Sequence, residues 1–195
     1  MPHTDLKDIT SAYMQADLIF SEAEVEHALH RVAMEATDTL LNSNPLVLSV
    51  HHGGMVVMGK LLTRLVFPLE TGCLLPAQAS TPEAIQDWHC HSSADIAGRT
   101  VLLIHETLDR SSALTSAIQH CREQGAAEIH VVGLIHTTPA NDKSSNTVAD
   151  AAVLKSLQIN KAYVGLETEA TRIFGCGIDY KGYWRNAPGI FALTD

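Results

Sequence analysis

The chain is short of charge, and of positive charge most of all. Asp, Glu, Lys and Arg make up 18% of its 195 residues, and 13 Lys+Arg stand against 22 Asp+Glu for a formal net charge of −9. Such a surface has no diffuse attraction for polyanions, so it excludes non-specific binding to nucleic acid or anionic lipid; any phosphate must be held by a local site. Aromatic residues are only 5%. The four cysteines, Cys73, Cys90, Cys121 and Cys176, form no CxxC pair, which argues against a disulfide framework and for a reducing cytoplasm. The first residues, Met1-Pro2-His3-Thr4-Asp5, lack the basic head and apolar core of a signal peptide. The most apolar region, residues 46–66, is interrupted by His51, His52, Gly53, Gly54, Lys60 and Arg64 and fails as a membrane span of about 20 residues. There is no internal repeat and no low-complexity tract.

What is present is a 46% hydrophobic chain of a length expected for one domain spanning 1–195. Ser21-Glu22-Ala23-Glu24 forms a capping box, with Ile19 and Phe20 ahead of it as a staple. Val25, Leu29, Val32, Ala36 and Leu40 follow at helical spacing, and the helix stops near residues 42–45. Leu46–Val50 reads as a buried strand, residues 51–54 as a tight turn and 55–65 as a second helix. A short strand is expected at 68–75. Residues 76–99 are polar and carry no clear pattern. A strand at 100–104, a loop at 105–110, an amphipathic helix at 111–124 closed by Gly125, and a strand at 128–135 come next. A loop covers 137–147, and further strands fall at 162–166 and 189–193.

Strands alternating with helices, several of them apolar throughout, predict an α/β fold: a parallel-sheet core with helices on both faces. Ligands of such sheets bind beyond the carboxyl ends of the strands. That rule selects His51-His52-Gly53-Gly54, His105-Glu106-Thr107-Leu108-Asp109 and His136-Thr137. In the second of these, an apolar strand delivers polar residues, an acid and then Ser111 and Ser112 at a helix start, where free N–H groups and the helix dipole favour an anion. A plain N-cap role for Asp109 or Ser111 would leave the same trace.

Residues 101–114, with Gly175-Cys176-Gly177-Ile178-Asp179-Tyr180-Lys181-Gly182-Tyr183-Trp184-Arg185-Asn186-Ala187-Pro188-Gly189-Ile190-Phe191-Ala192, resemble the bacterial hypoxanthine-guanine phosphoribosyltransferases. The resemblance runs in order from about residue 16 to 193. It implies a type I phosphoribosyltransferase fold, with a small hood built from the two chain ends. It implies transfer of ribosyl 5-phosphate from phosphoribosyl pyrophosphate to a purine, with Mg²⁺, in a cytoplasmic homo-dimer or homo-tetramer. On that resemblance, His52 and Gly53 fall on the pyrophosphate loop, and Arg185 matches the pyrophosphate arginine. Asp179 falls on a metal acid, with Glu106 as the ribose and second metal acid. Asp109 matches the general base. Arg110, Ser111, Ser112 and Ala113 fall on the 5-phosphate cradle. Thr137, Arg172 and Ile173 fall on the purine site.

The chain also departs from that pattern. His105 and Glu106 stand where the family places two acids. Arg110, Ser111 and Ala113 replace the usual phosphate-loop types. Thr137 stands in place of the purine-reading lysine, and Arg172 in place of the stacking aromatic, a role a guanidinium plane can also fill. These changes imply a shifted substrate or reduced activity. The alternatives are a catalytically silent paralogue that binds nucleotide or serves as a structural or regulatory subunit, and an enzyme acting on a different acceptor. The histidines at the functional edge, with His89 and His91, are expected to fill space as neutral polar groups; a transition-metal site including Cys90 is the alternative. Tyr183 and Trp184 are expected to pack the edge of the sheet.

Overall fold

The computed structural model describes residues 5–77, 88–92, 94–108, 112–137, 155 and 157–193. The chain begins with helix α1 (Leu6–Gln15), strand β1 (Asp17–Phe20) and helix α2 (Glu22–Leu40). Strand β2 (Leu46–Val50), helix α3 (His51–Leu62), strand β3 (Glu70–Pro76), strand β4 (Trp88–Ser92) and strand β5 (Thr100–Thr107) follow. Helix α4 (Ser112–Glu123) and strands β6 (Glu128–Thr137), β7 (Lys161–Thr168), β8 (Ile173–Phe174) and β9 (Ile190–Ala192) complete the order.

Six strands form one sheet in the order β4-β3-β2-β5-β6-β7. All its neighbours are parallel except β4, which runs antiparallel to β3. Every residue of β2 is buried, as are eight consecutive residues of β6, because both faces of the sheet are covered. On one face Val47, Leu102, Ile104 and Leu134 pack with Val25, Leu29 and Val32 of α2 and Val57 and Leu61 of α3. On the other, Leu46, Leu48, Leu103 and Val131 pack with Leu114, Ala117 and Ile118 of α4. The fold is the expected parallel core with helices on both faces. A second, three-stranded sheet in the order β1-β9-β8 joins residues from both ends of the chain.

The capping box is formed as expected. Ser21 Oγ accepts from the Glu24 amide at 3.3 Å, and the Glu24 carboxylate accepts from the Ser21 amide at 2.8 Å. Ser21→Ala removes one half of this reciprocal pair at the head of a 19-residue helix. It is expected to cost about 1 kcal/mol, read as a lower urea midpoint with unchanged slope.

Several local expectations are corrected. Residues 51–54 are the first turn of α3, not a separate turn, and α3 ends at Leu62. The expected loop at 105–110 starts later, because β5 continues to pair as far as Thr107 opposite Ile135. Likewise β6 runs on to Thr137, opposite Thr168. Trp184 does not pack the sheet edge but stacks on Tyr13 of α1, and Tyr183 is exposed. No helix among the described residues is long and apolar enough to cross a membrane.

Candidate functional site

The carboxyl ends of β2, β5 and β6 lie side by side, so whatever follows these strands shares one edge of the sheet. The start of α3 crosses directly over Glu106 at the end of β5. A Cβ on Gly53 would lie 2.2 Å from the Glu106 carboxyl carbon, so only glycine allows this approach. Gly177 closes from above: its φ is 103°, and a Cβ there would stand 2.6 Å from the Gly53 carbonyl oxygen and 3.4 Å from Glu106 Cβ. Gly53, Glu106 and Gly177 therefore form one close stack.

Arg185 links this stack to Asp179. Its Nη2 lies 2.6 Å from Asp179 Oδ1 and its Nη1 3.6 Å from Glu106 Oε1. Nη1 also donates to the Gly177 carbonyl at 2.5 Å. Asp179 Oδ2 accepts the Gly182 amide at 2.7 Å. One guanidinium thus serves two carboxylates, and the cluster keeps a negative excess. Glu106 Oε2 is 3.7 Å from His105 Nε2, beyond hydrogen-bonding distance, and is buried with no partner.

Glu106 is not alone in this. Among the described residues, Ser49 Oγ, His51 Nε2, Glu106 Oε2 and His136 Nε2 are buried without a hydrogen bond, and all four sit at or next to the carboxyl ends of β2, β5 and β6. An unmet buried polar group costs about 1–3 kcal/mol, so a concentration of them on one edge marks a place completed by a ligand. His136 Nδ1 lies 2.9 Å from the Leu108 carbonyl oxygen. That oxygen only accepts, so Nδ1 carries a proton and donates it, and Nε2 is the ring nitrogen left without a partner. The start of α3 adds donors: its N-cap, Val50, supplies no side-chain bond, leaving the first-turn amides for an anion.

The expected site residues divide as follows. Gly53, Glu106, Asp179 and Arg185 come together, with exposed His52 beside Gly53. His105 is buried next to Glu106, but its Nδ1 folds back on its own strand, 2.9 Å from the Thr107 carbonyl oxygen and 3.2 Å from its amide nitrogen. Ala113 lies in the first turn of α4, half-buried against the second face of the core. Thr137 ends β6; Ile173 begins β8 of the small sheet and pairs with Ala192, and Arg172 stands just before it, its carbonyl accepting from the Leu193 amide. Asp109, Arg110 and Ser111 lie outside the described residues, as does the Ser112 side chain. No group of three or more His, Cys, Asp or Glu among the described residues is arranged to hold a metal ion. On β4, His89 and His91 are exposed, with ring centroids 6.3 Å apart. The residue that sequence reasoning missed is Gly177. Its signal was the pair of glycines flanking Cys176, which bracket a turn with all three residues at positive φ.

Burial, reinforced by the fields of His105, His52 and Arg185, holds the His51 imidazole below its ordinary range. Burial also pushes His130 down, against the opposing pull of Glu128. The unfolded chain takes up these protons near the ordinary value of about 6.5, whereas the folded chain resists until lower pH. In that window the unfolded state binds more protons, so stability is complete above it and lost as pH falls through the depressed values. Melting temperature is expected to fall as pH drops below about 6.5, and to fall less steeply in the His51→Gln, His130→Gln double variant. A flat profile in the wild type would contradict the assignment.

The sequence profile of the phosphoribosyl transferase domain family matches residues 16–171. The hypoxanthine-guanine phosphoribosyltransferase of Bacillus subtilis (strain 168) is 24% identical over 183 residues, covering 90% of this chain and 92% of that protein. The hypoxanthine-guanine-xanthine phosphoribosyltransferase of Tritrichomonas foetus is 22% identical over 192 residues, covering 96% of this chain and 98% of that one. Among solved structures, a hypoxanthine phosphoribosyltransferase from Staphylococcus aureus superposes with a TM-score of 0.70 at 16% identity, covering 100% of this chain and 97% of that chain. A hypoxanthine-guanine-xanthine phosphoribosyltransferase gives a TM-score of 0.71 at 20% identity, with 92% and 97% covered. With four-fifths of the chain inside the matched span, this protein belongs to the phosphoribosyl transferase domain family.

Proposed function

We propose that the chain is a purine salvage transferase that moves the 5-phosphoribosyl group from phosphoribosyl pyrophosphate to a 6-oxopurine, releasing pyrophosphate and a nucleoside monophosphate. The observation that carries this reading is the Glu106–Arg185–Asp179 cluster, set under the uncapped start of α3 with one buried carboxylate oxygen unmet. The curated relatives point the same way, since those cited are hypoxanthine-guanine or hypoxanthine-guanine-xanthine enzymes by name.

Breaking the glycosidic bond puts negative charge on the departing pyrophosphate, and catalysis requires that charge to be met where it develops. Arg185 presents a planar pair of donors suited to phosphate oxygens. The His52 and Gly53 amides, in the first turn of α3, would add donors to the same anion. Glu106 Oε2, buried without a partner, would accept a hydrogen bond from a ribose hydroxyl. Asp109 is the proposed base for the purine proton; Arg110, Ser111, Ser112 and Ala113 cradle the 5-phosphate, and Thr137, Arg172 and Ile173 border the purine. The donor set fits Mg²⁺: Asp179 and Glu106 offer hard oxygen ligands in a cluster with a negative excess. When bound, the ion neutralises pyrophosphate charge. The four cysteines are all free thiols, in keeping with a cytoplasmic enzyme, and a homo-dimer or homo-tetramer is the assembly proposed.

Pyrophosphate release from phosphoribosyl pyrophosphate and Mg²⁺ with hypoxanthine, guanine or xanthine is the test, and turnover with at least one base is expected. The inward fold of His105 onto Thr107 favours a second reading, a silent nucleotide-binding paralogue. Calorimetric binding of nucleotide without turnover would decide for it.

A further inference from the structure

Trp184 precedes Arg185 and stands outside the charged cluster, yet it holds an unusual backbone. Its φ is 64°, in the left-handed region that bulky residues rarely enter. Lys181 at φ 51° and Gly182 at φ 85° share that conformation, so the whole 179–185 turn is tightly wound. Its two legs are tied together: the Tyr180 and Tyr183 backbones exchange hydrogen bonds of 3.0 and 2.9 Å, and the Gly177 amide donates to the Arg185 carbonyl at 2.9 Å. Asp179 and Arg185 lie on opposite legs, which is what lets them meet at 2.6 Å.

The turn does not stand free. The Trp184 indole stacks on Tyr13 of α1 with centroids 4.6 Å apart and planes inclined by 21°. Its Nε1–H donates to the Ile9 carbonyl at 2.7 Å. Ile9 is the buried residue of α1, and Tyr13 packs in turn on Phe191 of the small sheet at 5.0 Å. Trp184 thus ties the turn to α1 and the small sheet. The neighbouring Lys181–Asp8 pair, 2.7 Å apart, also joins turn to helix, but both side chains are half exposed and such a pair contributes little.

We propose that Trp184 is a positioning residue: by docking the 179–185 turn onto α1, it holds Arg185 and Asp179 where they face the departing pyrophosphate. This rests on the functional reading above, in which that pair meets the leaving group. Trp184 itself touches Tyr13 and Ile9 and none of the proposed purine residues, so the larger effect falls on pyrophosphate and the smaller on the purine base.

The test titrates inorganic pyrophosphate with Mg²⁺ into the full chain by calorimetry, alongside KM for the base and amide exchange at Gly182, whose N–H donates to Asp179. Trp184→Ala is expected to weaken pyrophosphate binding by roughly tenfold or more, to speed Gly182 exchange, and to leave base KM within about twofold. Trp184→Phe, which keeps a ring for stacking and loses the N–H, is expected to recover part of the loss; Asp8→Asn is expected to behave as wild type. Wild-type pyrophosphate affinity in Trp184→Ala overturns the proposal, as does an equal loss for pyrophosphate and base. If Trp184→Ala does not fold, Trp184→Leu keeps apolar bulk while removing both the stack and the N–H, and must show the same split. Should pyrophosphate fail to bind even the wild type, the functional reading falls, while Gly182 exchange still decides positioning: faster in the variant supports it, unchanged refutes it.

Discussion

Arg185→Ala is expected to lower kcat/KM for phosphoribosyl pyrophosphate by about 10²–10³-fold, the usual cost of deleting one preorganised donor at a developing anion. The side chain does three things at once. It pairs with Asp179, approaches Glu106 and donates to the Gly177 carbonyl. Its removal therefore takes a donor from pyrophosphate and leaves two carboxylates without their shared cation. Because both are only partly shielded, the stability loss is expected to be about 1–3 kcal/mol, less than for a fully buried pair. Arg185→Lys should recover only part of the activity, since an ammonium cannot span both carboxylates and the carbonyl with a planar fork. Steady-state kinetics and urea melts on the two variants check this together. An unchanged KM for phosphoribosyl pyrophosphate in the alanine variant would remove Arg185 from the leaving-group side.

A methyl group at position 53 is expected to be nearly as damaging to turnover, and one at position 54 more damaging to the fold. At Gly53 the added carbon meets the end of a side chain, Glu106, at 2.2 Å. A side chain can rotate away, so Gly53→Ala should fold with a loss of about 1–3 kcal/mol. The displaced carboxyl, however, no longer lies where Arg185 and a ribose hydroxyl need it, and misplacement of about 1 Å costs roughly 10²-fold in rate. At Gly54 the added carbon meets a backbone atom, the Ile104 carbonyl oxygen, at 2.3 Å. That oxygen belongs to a strand paired on both sides, so α3 must lift off β5. Gly54→Ala should cost about 3 kcal/mol or more, at the upper end of overpacking penalties. Denaturation midpoints and kcat separate the two variants: the first should be folded and slow, the second unstable.

Much of the architecture was legible because its elements carry strong local signals. The unbroken apolar runs of β2, β5 and β6 could only be buried on both faces, and the reciprocal Ser21 and Glu24 pattern fixed the start of α2. Helix α1 went unread although Leu6, Ile9 and Tyr13 recur at helical spacing, because a stripe carried by only ten residues is a short signal and only Ile9 is buried. Strand β4 was hidden by its composition, Trp-His-Cys-His-Ser, with exposed histidines alternating against inward residues at a sheet edge. At the site, the strand-end rule marked Glu106, and the family resemblance marked Asp179 and Arg185. The close passage of Gly177 over Gly53 left almost no trace, because contact between a helix start and a turn far apart in sequence is a tertiary property. His105 shows the same limit. Its position at the end of the strand and the family resemblance put it on the ribose side, but β5 runs on two residues further and the ring lies back against Thr107.

The unmet polar atoms of Ser49, His51, Glu106 and His136 also tell an engineer where not to work. Greasing that rim with methyl or phenyl groups would harden the molecule against heat and, in the same stroke, shut out its guests. Ruggedness is better sought far away, at positions such as Val66, which is 87% exposed and can be exchanged for a polar residue without touching the working edge.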